Sequence, residues 1–329
     1  MYTITPYTKD HFSQWNEFVA QSKNGTFLFH RDFMEYHNDR FEDYSLIVFE
    51  GKNPVALLPA HRVEGAVYSH WGLTYGGLIL GNKIKLSNVI NIVKQLLQYL
   101  HENGISKLHI KAIPHIYHKV PAEEMEYVLF LANAKIIRRD SLAVIDNSYP
   151  LKIAAGRMEG VKKGRINKFK LEESDNLNLF WNDVLIPNLQ KRHNTLPVHT
   201  LEEISHLKNL FPHAIKLFTV WHNKGIAAGT IIFETETVAH AQYISANDDK
   251  NHTGSLDFLY HEIITTVYAG KKYFDFGISN EQQGRKLNEG LAFWKESFGA
   301  RTMVHDFYEV ETANFELLNN VLTGNSIRV

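Results

Sequence analysis

One carboxylate set inside an apolar run is the first residue of this chain with the makings of chemistry. In Tyr273 to Ile278, YFDFGI, the residues alternate as in a strand, so Phe274, Phe276 and Ile278 point one way and Tyr273, Asp275 and Gly277 the other. A buried Asp is costly unless something pairs with it or uses it, and burial raises its pKa toward the range where a carboxyl takes up a proton near neutrality. Asp275 is therefore a candidate to orient an amine or accept its proton; the plainer role is holding a neighbouring loop. Past the strand stand Asn280, Asn288 and Lys295. Asn288 and Lys295, seven apart, share a helix face beside the apolar stripe Leu287, Leu291 and Trp294, so they are either ligand contacts or solvated helix surface. In KRHNTLPVH, His193 titrates near neutrality and is a second candidate base, with Arg192 beside it. Trp71 and Tyr75, in the Gly-rich passage 71–80, offer rings to stack on a sugar or base, or else pack a core. Asp275-Phe276-Gly277 also spells a kinase motif, but no Gly-rich nucleotide loop or H-R-D stretch precedes it.

The elements that position these residues follow from periodicity. After the Asp275 strand, polar residues and Gly284 break the run. From Leu287 the positions Leu291, Trp294 and Phe298 recur three or four apart, predicting a helix stopped by Gly299. A strand that ends in a polar turn at the mouth of a helix is where α/β proteins place ligands, because the helix N-terminus offers unpaired N–H donors. Upstream, the pattern predicts helices over Asp10–Ser22, Phe29–Asn38, Leu86–Glu102 and Ala122–Asn133, and strands over Tyr44–Glu50, Val55–Val63, Ala66–Trp71, Lys107–Ile113 and Lys135–Ile145. The same order returns in the second half. A three-strand meander runs from Lys216 to Ser245 with one turn at 222–225, a helix covers Ser255–Ala269, and KYFDFGIS matches KLHIKAIP at an offset of about 165 residues. This predicts a duplicated domain, residues 1–148 and 149–329, against the alternative of two unrelated halves that share an order.

Composition narrows the partners. The 329 residues are long enough for about two domains, and 35 basic against 36 acidic residues give no global pull toward nucleic acid. Cysteine is absent, which excludes a disulfide framework and a thiolate nucleophile. The 18 His include His115 and His118 as the tightest local pair, without a carboxylate at metal-ligand spacing, so no metal is expected. No run approaches the ~20 apolar residues of a membrane span, and MYTITPYTKDHF lacks the basic start and apolar core of an export signal, so a cytoplasmic protein without a membrane span is expected. Between the halves, residues 150–170 carry Arg157, Lys162, Lys163, Arg165, Lys168 and Lys170 against Glu159 alone. That charge run is either a solvated linker helix or a contact for phosphate or an RNA backbone.

Two helices, an antiparallel meander, a helix, a strand, a helix and a last strand is an order that resembles the GNAT acyltransferase fold. A tandem pair resembles the FemAB-like branch, most sharply over Leu201 to Tyr308. The resemblance implies an α/β fold, with a mixed sheet in each of two GNAT-like domains, and transfer of an acyl or aminoacyl group to an amine, the acceptor being a small molecule such as a sugar or cell-envelope precursor. It implies that two central strands splay and hold the donor between them, here the Tyr243 strand and the Asp275 strand. It places Arg192 and His193 along the acceptor cleft. It also implies acyl-CoA as donor, its pyrophosphate on the loop 247–255, where Lys250, Gly254 and Ser255 are the candidates. That loop lacks the family's second glycine and carries Asp248 and Asp249, which oppose a pyrophosphate electrostatically. The alternatives are an aminoacyl-tRNA donor, with Lys162 to Lys170 against the RNA, and a tandem GNAT protein that binds without catalysing.

Overall fold

The computed structural model describes residues 2–222 and 225–323. The chain forms two compact units: Met1–Arg139 together with Val304–Val329, and Asp140–Met303.

The first unit holds an antiparallel sheet in the order Tyr2–Pro6, Leu46–Glu50, Asn53–Leu58, Ile79–Leu80. The expected strand Val55–Val63 is in fact two. Asn53–Leu58 pairs with Leu46–Glu50, and the chain then turns at Pro59, which has no N–H to give to a ladder, so that His61–Val63 pairs with Ala66–Tyr68 instead. Ala66–Tyr68 runs parallel to Lys107–Lys111, which in turn pairs with residues 307–311 of the last strand. The helix Leu86–Glu102 forms as its periodicity predicts and buries Val89, Ile92, Val93, Leu96, Leu97 and Leu100 against the sheet. The expected helix Phe29–Asn38 shrinks to Arg31–Met34 with short 3-10 turns on either side, since Leu28 and Phe29 are buried in the turn before it.

Imidazoles stack in this unit. The rings of His37 and His70 lie 4.9 Å apart and nearly parallel, His61 stands 5.6 Å from His70, and His109 stacks on Tyr68 at 4.3 Å. Among the described residues, Nδ1 of His61, of His70 and of His109 is buried without a hydrogen-bond partner. Burial holds His61 down to about 4 and His70 well below its ordinary value, and it lowers His109 despite the Glu309 carboxylate 3.7 Å away. Arg31, itself paired with Glu35 and Asp43, adds further positive charge near His70. These bases have lower pKa values folded than unfolded, so the unfolded state binds more protons. Their contribution is intact above the unfolded value of ~6.5 and is lost as pH falls toward the folded values. The melting temperature is expected to drop by roughly 5 °C or more between pH 7 and pH 4.5, and His61→Phe to flatten that slope. Calorimetric melts across this range check both.

In the second unit the strand order is Lys170–Ser174, Ile215–His222, Gly225–Glu234, Val238–Ala246, Tyr273–Ile278 and residues 140–146. Asn223 and Lys224 of the expected turn lie outside the described residues. The helix Ser255–Glu262, extended by a π-helical turn to Val267, covers one face of this sheet through Leu259, Tyr260 and Ile263. Tyr260 meets Phe274, Phe276, Trp294 and Phe298 edge-on or tilted. Helix Glu289–Glu296 is shorter than the apolar stripe predicts. Leu287 lies outside it, in a two-residue strand, and is exposed, so only Trp294 and Phe298 of that stripe reach the core. The basic run 150–170 resolves into the helix Ala155–Ile166 and the start of the Lys170–Ser174 strand.

The element order repeats as the sequence suggests. Strand Lys107–Lys111, helix Glu124–Leu131 and strand Lys135–Asp146 are matched by Tyr273–Ile278, Glu289–Glu296 and Arg301–Glu311. In each unit the first of these strands runs parallel to the end of the meander.

Candidate active site

The site forms where two parallel strands part. Val238 pairs with Tyr273, Ala239 with Phe274 and His240 with Asp275, and there the ladder ends, although the strands run on to Ala246 and Ile278. Two irregularities push them apart. On one side Tyr243 sits opposite Ile231 and Ala241 opposite Ile232, leaving Gln242 as the extra residue of a bulge. On the other, pairing with residues 140–146 skips from Asp275 to Ile278, across Gly277 at φ +73°. Such a φ is strained for any residue with a Cβ.

At the fork, Nδ1 of His240 lies 2.9 Å from Oδ2 of Asp275. Oδ1 of Asp275 accepts the N–H of Gly277 at 2.7 Å, so both carboxylate oxygens are engaged and the group is 1 % exposed. A carboxylate can only accept, which assigns the proton to Nδ1 of His240 and leaves Nε2 as a base. Among the described residues no hydrogen bond engages Nε2, and the His240 side chain is 10 % exposed. Gly277 also keeps the ring clear: a Cβ there would stand 3.3 Å from Cε1 of His240. Lys295 closes the far side. From helix Glu289–Glu296 its Nζ donates to the carbonyls of Gly277 at 3.1 Å and Ile278 at 2.6 Å. Burial lowers its pKa to about 8, against the opposing pull of Asp275.

Of the residues singled out from sequence, Asp275 and Lys295 thus share one site. Tyr243 lies three residues beyond His240 on the same strand, its hydroxyl 2.6 Å from Nδ1 of His199. Asn280 accepts the main-chain N–H of Ser141 at 2.5 Å and its hydroxyl at 2.9 Å, tying strand ends together. Asn288 caps the helix, accepting the N–H of Leu291 at 3.0 Å, and donates to Glu281. Arg192 and Lys191 both reach Asp248, which Lys191 chiefly holds below the usual carboxylate range. The side chain of His193 lies outside the described residues. Trp71 and Tyr75 belong to the first unit: Trp71 is 49 % exposed and edge-on to Tyr68, whereas Tyr75 is buried and donates to Thr26 at 3.0 Å. Sequence reasoning did not find His240 or His199. A polar residue between Ala239 and Ala241 was the available signal for His240.

The loop expected to cradle a pyrophosphate carries another helix against it. Residues 250–253 form a helical turn whose amides are spent locally: His252 and Thr253 donate to Asp249, and Gly254 to Lys250. Helix Ala155–Ile166 lies directly on it. A Cβ at Gly254 would stand 2.0 Å from the Gly160 carbonyl oxygen, and one at Gly164 2.6 Å from Phe258. Arg157 pairs with Asp257 at 2.7 Å, Lys163 donates to the Asn251 carbonyl and Asn167 to that of Thr253. Ser255 is fully buried, and burial lowers the pKa of Lys250, with the Arg192 charge adding to the effect. Among the described residues no group of three or more His, Asp or Glu side chains is placed to hold a metal ion, and no helix is long and apolar enough to cross a membrane.

No protein-family model matches the sequence, and no curated protein matches it. Solved structures do match. FemX aligns with 96 % of this chain and 99 % of its own, at 10 % identity and a TM-score of 0.64. The C-terminal domain of a putative lysylphosphatidylglycerol synthetase from Agrobacterium fabrum aligns over 94 % and 93 % at 12 % identity and a TM-score of 0.58. L-PGS from Bacillus licheniformis aligns over 94 % of each chain at 10 % identity and a TM-score of 0.56. At these identities the likeness is one of fold, and the fold is the FemAB-like tandem GNAT arrangement expected from the order of elements.

Proposed function

We propose that this chain is a transferase that moves an acyl group from an activated ester to a primary amine on a small acceptor. The observation that carries the reading is the His240–Asp275 pair at the point where the strands part. An amine attacking a carbonyl must lose a proton as the N–C bond forms, and Nε2 of His240 is the base set to take it. Asp275 stabilises the imidazolium that results. The ladder between the two strands ends at His240 and Asp275, and main-chain N–H groups of the Val238–Ala246 strand beyond that point are the donors we assign to the acyl oxygen as it gains charge. Lys295 fixes the end of the Asp275 strand by gripping two of its carbonyls.

For the donor we propose an aminoacyl ester carried on tRNA rather than acyl-CoA. The closed 250–254 turn beneath helix Ala155–Ile166 supports this, since a pyrophosphate needs free converging amides there. Lys162, Lys168 and Lys170 are exposed along the same segment and suit a polyanionic backbone, while Arg157, Lys163 and Arg165 already have partners within the unit. Titration calorimetry with acetyl-CoA is expected to show no heat at millimolar ligand, and aminoacyl-tRNA to bind with an affinity that falls steeply with salt. Micromolar binding of acetyl-CoA overturns the donor assignment. Binding of either donor without turnover on any amine overturns the transferase reading in favour of a binding protein.

A further inference from the structure

The first unit holds a cavity of its own. Strand Ile79–Leu80 is two residues long and pairs only with Leu57 and Ala56, so the start of strand Asn53–Leu58 runs on without a strand beside it there. The chain leaves at Gly81, whose N–H donates to the Val55 carbonyl at 3.1 Å, and turns at once, the Ile84 N–H donating to the Gly81 carbonyl at 3.1 Å. Helix Phe12–Gln21 supplies Phe18 to the same place. A Cβ at Gly81 would stand 3.5 Å from the Phe18 ring, so the ring lies against the turn. Between these elements opens a cavity of about 430 Å³, within the range of small-molecule sites, with Phe18, Val55 and Ile84 half-buried in its wall. Val55 and Ile84 are anchored on the core of the unit, so this apolar wall is held in place.

Two charges of opposite sign line the cavity beside the apolar wall: Glu50, at the end of strand Leu46–Glu50, and Lys83, in the turn. Among the described residues neither side chain has a hydrogen bond or an ion pair, with the other or with a third group. A lone exposed charge is ordinary, since water solvates it well. The combination is selective. A purely anionic guest meets Glu50 and a purely cationic one meets Lys83, whereas a small head carrying both charges, joined to an apolar group, suits all three parts of the wall. We infer that this cavity binds a free α-amino acid with a large apolar side chain, its carboxylate toward Lys83, its ammonium toward Glu50 and its side chain on Phe18, Val55 and Ile84. The inference does not rest on the transferase reading, because binding is measured on the protein without any reaction.

The test is a ligand-observed NMR titration of the full chain. Its probes are L-phenylalanine; phenylalanine amide, which lacks the carboxylate; 3-phenylpropionate, which lacks the ammonium; and glycine, which lacks the side chain. Phenylalanine is expected to bind with a dissociation constant on the order of 1 mM, since charge pairs in contact with solvent contribute little each. The amide and the propionate should bind about fivefold more weakly, and glycine at least ~10-fold more weakly. Variants then assign the charges. Lys83→Ala should weaken phenylalanine about fivefold and leave its amide unchanged, while Glu50→Gln should weaken phenylalanine by a like factor and leave 3-phenylpropionate unchanged. Both side chains are exposed, so both variants should fold, and thermal melts check that they do. No saturable binding of phenylalanine up to about 30 mM overturns the site. Equal affinity for the singly charged analogues, or variants that weaken every ligand alike or none, overturns the assignment of a zwitterion to it.

Discussion

His240→Gln is expected to lower kcat for acyl transfer by ~10²–10⁴-fold, the usual worth of a positioned base, with little change in melting temperature. His240 contributes a base whose Nε2 is held open by a carboxylate and a glycine, and Gln offers an amide of similar reach that takes no proton. Asp275→Asn should cost a comparable factor by a different route. An Asn can turn its NH₂ toward Nδ1 of His240, which then becomes the acceptor, so the ring proton moves to Nε2 and the base is lost. The amide oxygen of the Asn can still accept the Gly277 N–H, so the strand end keeps its shape. Single-turnover kinetics on both variants, beside thermal melts, separate chemistry from folding. A wild-type rate in Asp275→Asn would leave Asp275 with a purely structural part and remove the dyad from the mechanism.

How much of this site could be read from the residues depends on the range of the interactions that make it. Asp275 was legible because its oddity is local: one acid within six residues of strand, flanked by aromatics. Helix Leu86–Glu102 was legible for the same reason, its stripe being complete within the element. His240 was not, because its meaning lies in a ladder pairing with a residue 35 positions away, and no period within a strand announces a cross-strand partner. The bulge at Gln242 is equally silent, since inserting one residue leaves composition unchanged while reversing which side chains face the site. The charge of the basic run 150–170 told only part of its role: folded, Gly160 and Gly164 are as informative as its lysines, because they let a helix lie against Gly254 and Phe258. The strand break at Pro59 was visible in principle, as a ladder cannot use a residue without an N–H, but the apolar run on both sides hid it.

Gly254→Ala is expected to destabilise the second unit by about 3 kcal/mol, lowering its melting temperature by roughly 6–12 °C. Two costs add. Gly254 sits at φ +74°, in the left-handed region where a Cβ costs ~1–2 kcal/mol. The new methyl would also meet the Gly160 carbonyl oxygen at 2.0 Å and the Gly164 nitrogen at 3.1 Å, both main-chain atoms that cannot swing aside as a side chain would. Relief therefore requires helix Ala155–Ile166 to move off the 250–254 turn, breaking the Arg157–Asp257 pair and the bonds from Lys163 and Asn167. Gly156, on the same helix but with open space around its α-carbon, is the matched control, and its change to Ala should be neutral or slightly stabilising. The contrast also bears on the donor. If the helix is what closes the pyrophosphate position, lifting it in Gly254→Ala should raise affinity for acetyl-CoA relative to wild type even as stability falls, whereas a full stability loss with no gain in binding would mean that the turn's own spent amides keep coenzyme A out.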